Sequence, residues 1–166
     1  MKLLFNIVLF ALSFTLTAQE AESSSIMNND ENTFLSAFVD PTFTDRGAQY
    51  GISLTKEVLW GYIETSASVY PELEPTYLDL VFSGGLAIEK NRFTFHTGPR
   101  AGMELRGGGP FLMLGYQARL LFQITEHIYI GGKLWLDYRY SQDSQFYGSG
   151  DMRRVNGAFY VAIKLN

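Results

Sequence analysis

Cysteine is absent from the chain. Its absence excludes disulfides, thiolate zinc sites and lipid attachment through a lipobox cysteine. Charge is scarce as well: Asp, Glu, Lys and Arg make up 18% of the residues, against roughly 25% in an ordinary soluble domain. The formal charge is −4 with a pI near 5.1, so no basic surface is available for nucleic acid. After the first eighteen residues no apolar run is long enough for a transmembrane helix. The two histidines stand far apart, without the three or four convergent ligands of a metal centre. No cofactor is implied. What the chain does contain is 16 Gly, 13 Phe and 10 Tyr among 166 residues, a mixture suited to strands and tight turns rather than to a helical bundle.

The longest hydrophobic run opens the chain. Lys2 supplies a positive charge, "LLFNIVLFALSFTL" an apolar stretch, and "LTA" a small residue before Gln19. This reads as a secretory signal peptide over residues 1–18, too short and wrongly flanked to span a membrane. Its removal takes the formal charge to about −5. Residues 19–32, "QEAESSSIMNNDEN", are polar, acidic and aperiodic, and read as a flexible leader.

From residue 33 to 166 one theme recurs, expected to form a single barrel domain. In "IYIGGKLWLDYRY" the even positions are Ile128, Ile130, Gly132, Leu134, Leu136, Tyr138 and Tyr140. The odd positions are Tyr129, Gly131, Lys133, Trp135, Asp137 and Arg139. A period of two marks a strand with unlike faces. The same alternation predicts strands near 33–41, 48–56, 58–70, 76–88, 92–106, 110–125, 127–141 and 152–165. Most exceed the usual five or six residues. One face of each is apolar and uncharged, as in Leu112, Leu114, Tyr116, Ala118, Leu120, Phe122 and Ile124.

The opposite faces decide the architecture. They mix glycine, small residues, aromatics and charges of both signs: Trp60, Tyr62, Glu64, Ser66 and Ser68, or Arg92, Thr94, His96, Gly98, Arg100, Gly102 and Glu104. A solvent-facing surface would be richer in Lys, Glu and Thr. A narrow packed interior needs this mixture, and eight strands enclose just enough room for side chains. Apolar outside and polar inside is the transmembrane-barrel pattern, at about 9–11 residues per tilted crossing. The expected fold is therefore all-β, an eight-stranded antiparallel up-and-down transmembrane β-barrel. Connection lengths agree. "TKEV", "EKN" and "TEH" are short, while "TFTDRGA", "PELEPT" and "SQDSQFYGSGD" are longer, with "RGGG" the short exception on that side. Short periplasmic turns alternating with longer outer loops suit such a barrel.

These patterns, with "NGAFYVAIKL" near the C-terminus, resemble the small eight-stranded outer-membrane barrels of the OmpA/OmpX type. The resemblance is strongest to the outer-membrane β-barrel domain proteins of the Bacteroidota. It covers residues 33–166 and implies residence in the cell outer membrane, with outer-membrane lipid and the barrel-insertion machinery as partners. One departure concerns that machinery: such barrels usually end on an aromatic residue, whereas this sequence ends Leu165-Asn166.

Candidate functional residues follow from the inward face. Glu64, Asp79, Arg92, Arg100, Glu104, Arg119, Lys133, Asp137, Arg139 and Lys164 are expected to form an interior ion network, because buried charge is tolerated only when paired. A narrow ion path is the functional alternative. His96 lacks the His-x-Ser pattern of lipid A deacylation, although Ser66, Ser68 and Ser83 share its side of the sheet. "RGGGP" lacks the Lys-Ser/Thr of a phosphate loop and reads as a turn. Pro99 inside a strand predicts a bulge or kink. The loop "SQDSQFYGSGD" offers Phe146 and Tyr147 as outer-loop contacts for a surface partner. The sequence thus points to a non-enzymatic outer-membrane barrel with a structural or surface-interaction role. A soluble lipocalin-like barrel binding an apolar ligand, or a lipid-modifying membrane enzyme, are the alternatives.

Overall fold

The computed structural model describes residues 32–41, 48–71, 77–106, 109–139 and 153–165. The signal-peptide and leader assignments therefore lie outside the described residues, except for Asn32. Eight strands follow in order: β1 (Thr33–Asp40), β2 (Gln49–Val58), β3 (Gly61–Tyr70), β4 (Tyr77–Lys90), β5 (Phe93–Arg106), β6 (Gly109–Gln123), β7 (Ile128–Arg139) and β8 (Arg153–Lys164). Each pairs antiparallel with its sequence neighbour, and β8 pairs with β1. The fold is a closed all-β up-and-down barrel, as the alternation predicted.

The register fixes the barrel's geometry. Paired residues lead from Val155 through Leu136 and Tyr116 to Pro99, which the flanking pairs Ser83↔Arg100 and Leu86↔Thr97 set opposite Gly84, and on from Gly84 through Ile63 and Lys56 to Thr33. The Thr33 carbonyl then accepts from the Leu165 amide at 2.8 Å. One circuit thus returns to β8 ten residues from its start, from Val155 to Leu165. With eight strands, that shear tilts the strands by about 40°.

Side chains sort by parity along every strand. At outward positions the charged side chains described are Lys56 and Lys90, both near the end that carries the short turns. The rest of that wall is apolar apart from a few threonines. Thr97 Oγ1 donates to the Gln117 carbonyl at 3.0 Å and lies 3.2 Å from the Tyr116 hydroxyl, so this polar site on the outer wall is paired. Along β5 the outward positions from Phe93 to Met103 cover about 25 Å of height, at roughly 3.3 Å per residue and this tilt. Inside, Arg119, Tyr62, Tyr70, Tyr160, Phe34 and Met113 are among the largest side chains shut off from solvent.

Three local expectations are corrected. "TKEV" is not a turn: β2 runs through it to Val58, and the chain reverses at Leu59 and Trp60. Leu59 takes a positive φ of 54°, a conformation that apolar residues seldom signal in sequence. Trp60, assigned to an inward face, is exposed in that turn. Pro99 introduces no bulge, because β5 keeps one register against β6 from Phe93 to Arg106. Pairing with β4 is instead interrupted between Ser83↔Arg100 and Leu86↔Thr97. There the backbones of Gly85 and Gly98 approach so closely that a Cβ on either would strike the other strand. Glycine at both positions permits the sharp coiling that closes a small barrel, and Pro99 sits where a ladder N–H is dispensable.

Candidate functional site

The interior is a chain of hydrogen bonds assembled from six strands. At its centre Glu64, on β3, is 1% exposed. Its Oε1 accepts from Lys133 Nζ at 2.5 Å, and its Oε2 from Arg119 Nη1 at 2.6 Å. Thr55 donates to the same Oε2 at 3.1 Å and accepts from Arg119 Nη2 at 3.1 Å. A carboxylate meeting two cations and a hydroxyl is the arrangement a buried charge requires.

Arg119 reaches onward. Its Nε and Nη2 lie 3.2 and 2.5 Å from His96 Nδ1. A guanidinium only donates, so Nδ1 is the acceptor and Nε2 carries the hydrogen. That Nε2 donates to Glu57 Oε1 at 2.6 Å, while Asn32 Nδ2 donates to Glu57 Oε2 at 2.7 Å. The His96 ring stacks on Tyr62, with centroids 4.7 Å apart. Lys133 Nζ also donates to the Tyr160 hydroxyl at 3.2 Å and lies 5.5 Å from the centre of that ring. Tyr160 stacks in turn on Phe38. The aromatic rings pack the space between charged groups and face the cations with their negative π-surfaces.

A second group lies toward the opposite end of the barrel. Gln49 Nε2 donates to Ser68 Oγ at 2.7 Å and to Asp79 Oδ2 at 3.2 Å. Arg100 Nε stands 3.1 Å from Asp137 Oδ1, an ion pair without hydrogen-bond alignment. The Arg100 guanidinium also lies over the Trp135 ring at 5.2 Å. Asp79 and Glu104 are buried on directly paired positions of β4 and β5.

The residues expected in the network therefore divide. Glu64, Arg119 and Lys133 meet at one centre, and Arg100 pairs with Asp137 elsewhere. Asp79 and Glu104 are buried near the second group. Arg92 is excluded: it is exposed in the two-residue turn after Lys90, where strand parity no longer directs side chains. Lys164 is half-buried at the mouth, paired with Phe34. Arg139 ends β7, and its side chain lies outside the described residues, as do Phe146, Tyr147 and Tyr140. Buried Asp40, Thr55, Glu57 and Asn32 were not anticipated. Thr55 and Glu57 were hidden by reading "TKEV" as a turn, and Asn32 by assigning it to the leader.

The geometry bears on chemistry. Both nitrogens of His96 are engaged, by Arg119 and Glu57, and neither by a serine. Ser68 is held by Gln49, and Ser83 by Gln117 at 2.8 Å. Among the described residues no group of three or more His, Asp or Glu side chains is arranged to hold a metal ion. Comparison with protein-family models gives no match for this sequence, and comparison with curated proteins gives none either.

Proposed function

We propose that this protein is an exported, integral outer-membrane β-barrel without enzymatic activity, serving a structural or surface-interaction role. One observation carries the reading: among the described residues the charged side chains of the strands turn into the barrel, while the outer wall is apolar apart from a few threonines and Lys56 and Lys90 at one end. Water offers no reason to expose Leu134 at 64% or Phe159 at 68% while enclosing Arg119 at 1%. Lipid does, because hydrocarbon is as apolar as the leucines that face it, and closure leaves no unpaired strand edge. The height of the outward face of β5 matches the apolar band of about 25 Å found on such barrels. An interior filled by ion pairs and aromatic rings also suits a wall-supporting plug better than an apolar ligand cavity.

On this reading the short turns face the periplasm and the longer connections face outward, where the loop over 141–151 is the candidate contact for a surface partner. The insertion machinery and outer-membrane lipid are the remaining partners. The test is fractionation of cells expressing the full chain. The mature protein should remain in the outer-membrane pellet through carbonate washing and migrate anomalously on gels unless boiled. Recovery as a freely released protein would instead support a soluble barrel of the lipocalin type.

A further inference from the structure

The chain of contacts at the short-turn mouth has an unusual sense of direction. Both Glu57 oxygens face N–H donors, His96 Nε2 on one side and Asn32 Nδ2 on the other. His96 Nδ1 likewise faces only the donors of Arg119. A proton added to Glu57 leaves its hydroxyl oxygen a weaker acceptor for the donor it faces, and a proton on His96 Nδ1 turns the only lone pair there into a donor aimed at Arg119. Protonated Glu57 thus holds His96 or Asn32 less tightly, and protonated His96 must release Arg119. The His96 ring is packed between Tyr62 and Phe34, which holds its orientation. The groups facing the pair are Tyr62 and Glu64 from β3, Arg119 from β6 and Phe34 from β1. Tyr129 of β7 faces Glu57, and Glu89 of β4 faces Tyr129 in turn.

Asn32 makes this local chemistry structural. Besides its side-chain bond, its carbonyl accepts from the Glu57 amide at 2.8 Å, the last bond of the β1–β2 ladder at that mouth. The adjoining Thr33 carbonyl is held by Leu165, at the seam where the barrel closes. Asn32 is thus fastened at the point where the chain enters β1.

We propose that Asn32, Glu57, His96 and Arg119 form an acid-released latch: protonation of Glu57 weakens its hold on Asn32 and loosens the start of β1 at the closing seam. The device depends only on the interior and holds whether the outer wall meets lipid or water.

Amide hydrogen exchange on the full chain, folded in detergent micelles, tests it. Exchange at the Glu57 amide, corrected for the intrinsic pH dependence of the chemistry, is compared between about pH 8 and about pH 3. Protection at Glu57 should fall at least about tenfold on acidification, while Leu120, mid-wall on β6, stays protected. Glu57→Gln should be weakly protected at both pH values, because a carboxamide cannot accept from two donors through two oxygens. Protection at Glu57 that is unchanged by pH in the unmodified protein would overturn the proposal, whether or not the variant folds. So would a pH response that persists undiminished in Glu57→Gln. A parallel loss at Leu120 would also overturn it, because that is global unfolding rather than release of a latch.

Discussion

The two faces of this barrel are built from the same strands, yet they follow opposite rules. On β7 the outward side chains Ile128, Ile130, Leu134, Leu136 and Tyr138 are exposed, whereas Tyr129, Lys133, Trp135 and Asp137 are buried. In an ordinary soluble protein the apolar set would be inside. The contrast teaches that burial and hydrophobicity are separable. Here the interior excludes solvent by filling a narrow space with long polar side chains, many of them bonded to a neighbour from another strand. Among the described residues the outer wall has few such contacts, those of Thr97 among them, and it depends on what surrounds it.

The comparison can be broken first from the inside. Glu64→Ala removes the shared acceptor of Arg119 and Lys133 and strands two buried cations. Removing one partner of a buried pair costs about 3–5 kcal/mol, and this site should reach the upper part of that range. Urea titration followed by gel mobility of the folded form measures it. Trp135→Ala opens a void beneath Arg100 and Lys133, both of which lie near its ring. That loss should be about 3–5 kcal/mol by the same assay.

Leu136, one residue away, sharpens the contrast because it responds to the environment outside. Leu136→Arg should cost about 2–4 kcal/mol in lipid, less if the site lies near the interface. In a water-exposed wall the same change should stay within about 0.5 kcal/mol. Unfolding of the variant from lipid vesicles separates these outcomes. The smallest effect is expected at Lys90, an exposed charge beside the Asn91-Arg92 turn. Lys90→Gln should change stability by no more than about 0.5 kcal/mol. A large loss there would mean that the rim contributes more than its exposure indicates.

Much of this was legible in the sequence, for a physical reason. A period of two is imposed by the backbone itself, so the alternation in "IYIGGKLWLDYRY" already separated Leu136 from Trp135. What the period does not carry is where a strand ends. Polar "TKEV" has turn-like composition, while the true reversal at Leu59-Trp60 has none, so Thr55 and Glu57 were missed and Trp60 was assigned inward. Arg92 failed in the converse way: its parity was inward, but it falls on the turn. Nor does the period carry partners. His96 is separated from Glu57 by 39 residues and from Arg119 by 23. Which of them meet is decided by the shear with which the barrel closes, a property of all eight registers together. The inward parity of His96 was therefore legible, but not that it links Glu57 to Arg119.

The central claim, that lipid surrounds the outer wall, is tested most directly by a nitroxide scan of β7. Because the chain has no cysteine, a single introduced thiol at each position from Ile128 to Tyr138 gives an unambiguous label. In vesicles, the account predicts that oxygen, which partitions into lipid, relaxes labels at the even positions. A water-soluble nickel chelate should not reach those at 130–136, and labels at 133 and 135 should be shielded from both. Strong nickel accessibility at 134 and 136, with no excess of oxygen there, would contradict the account.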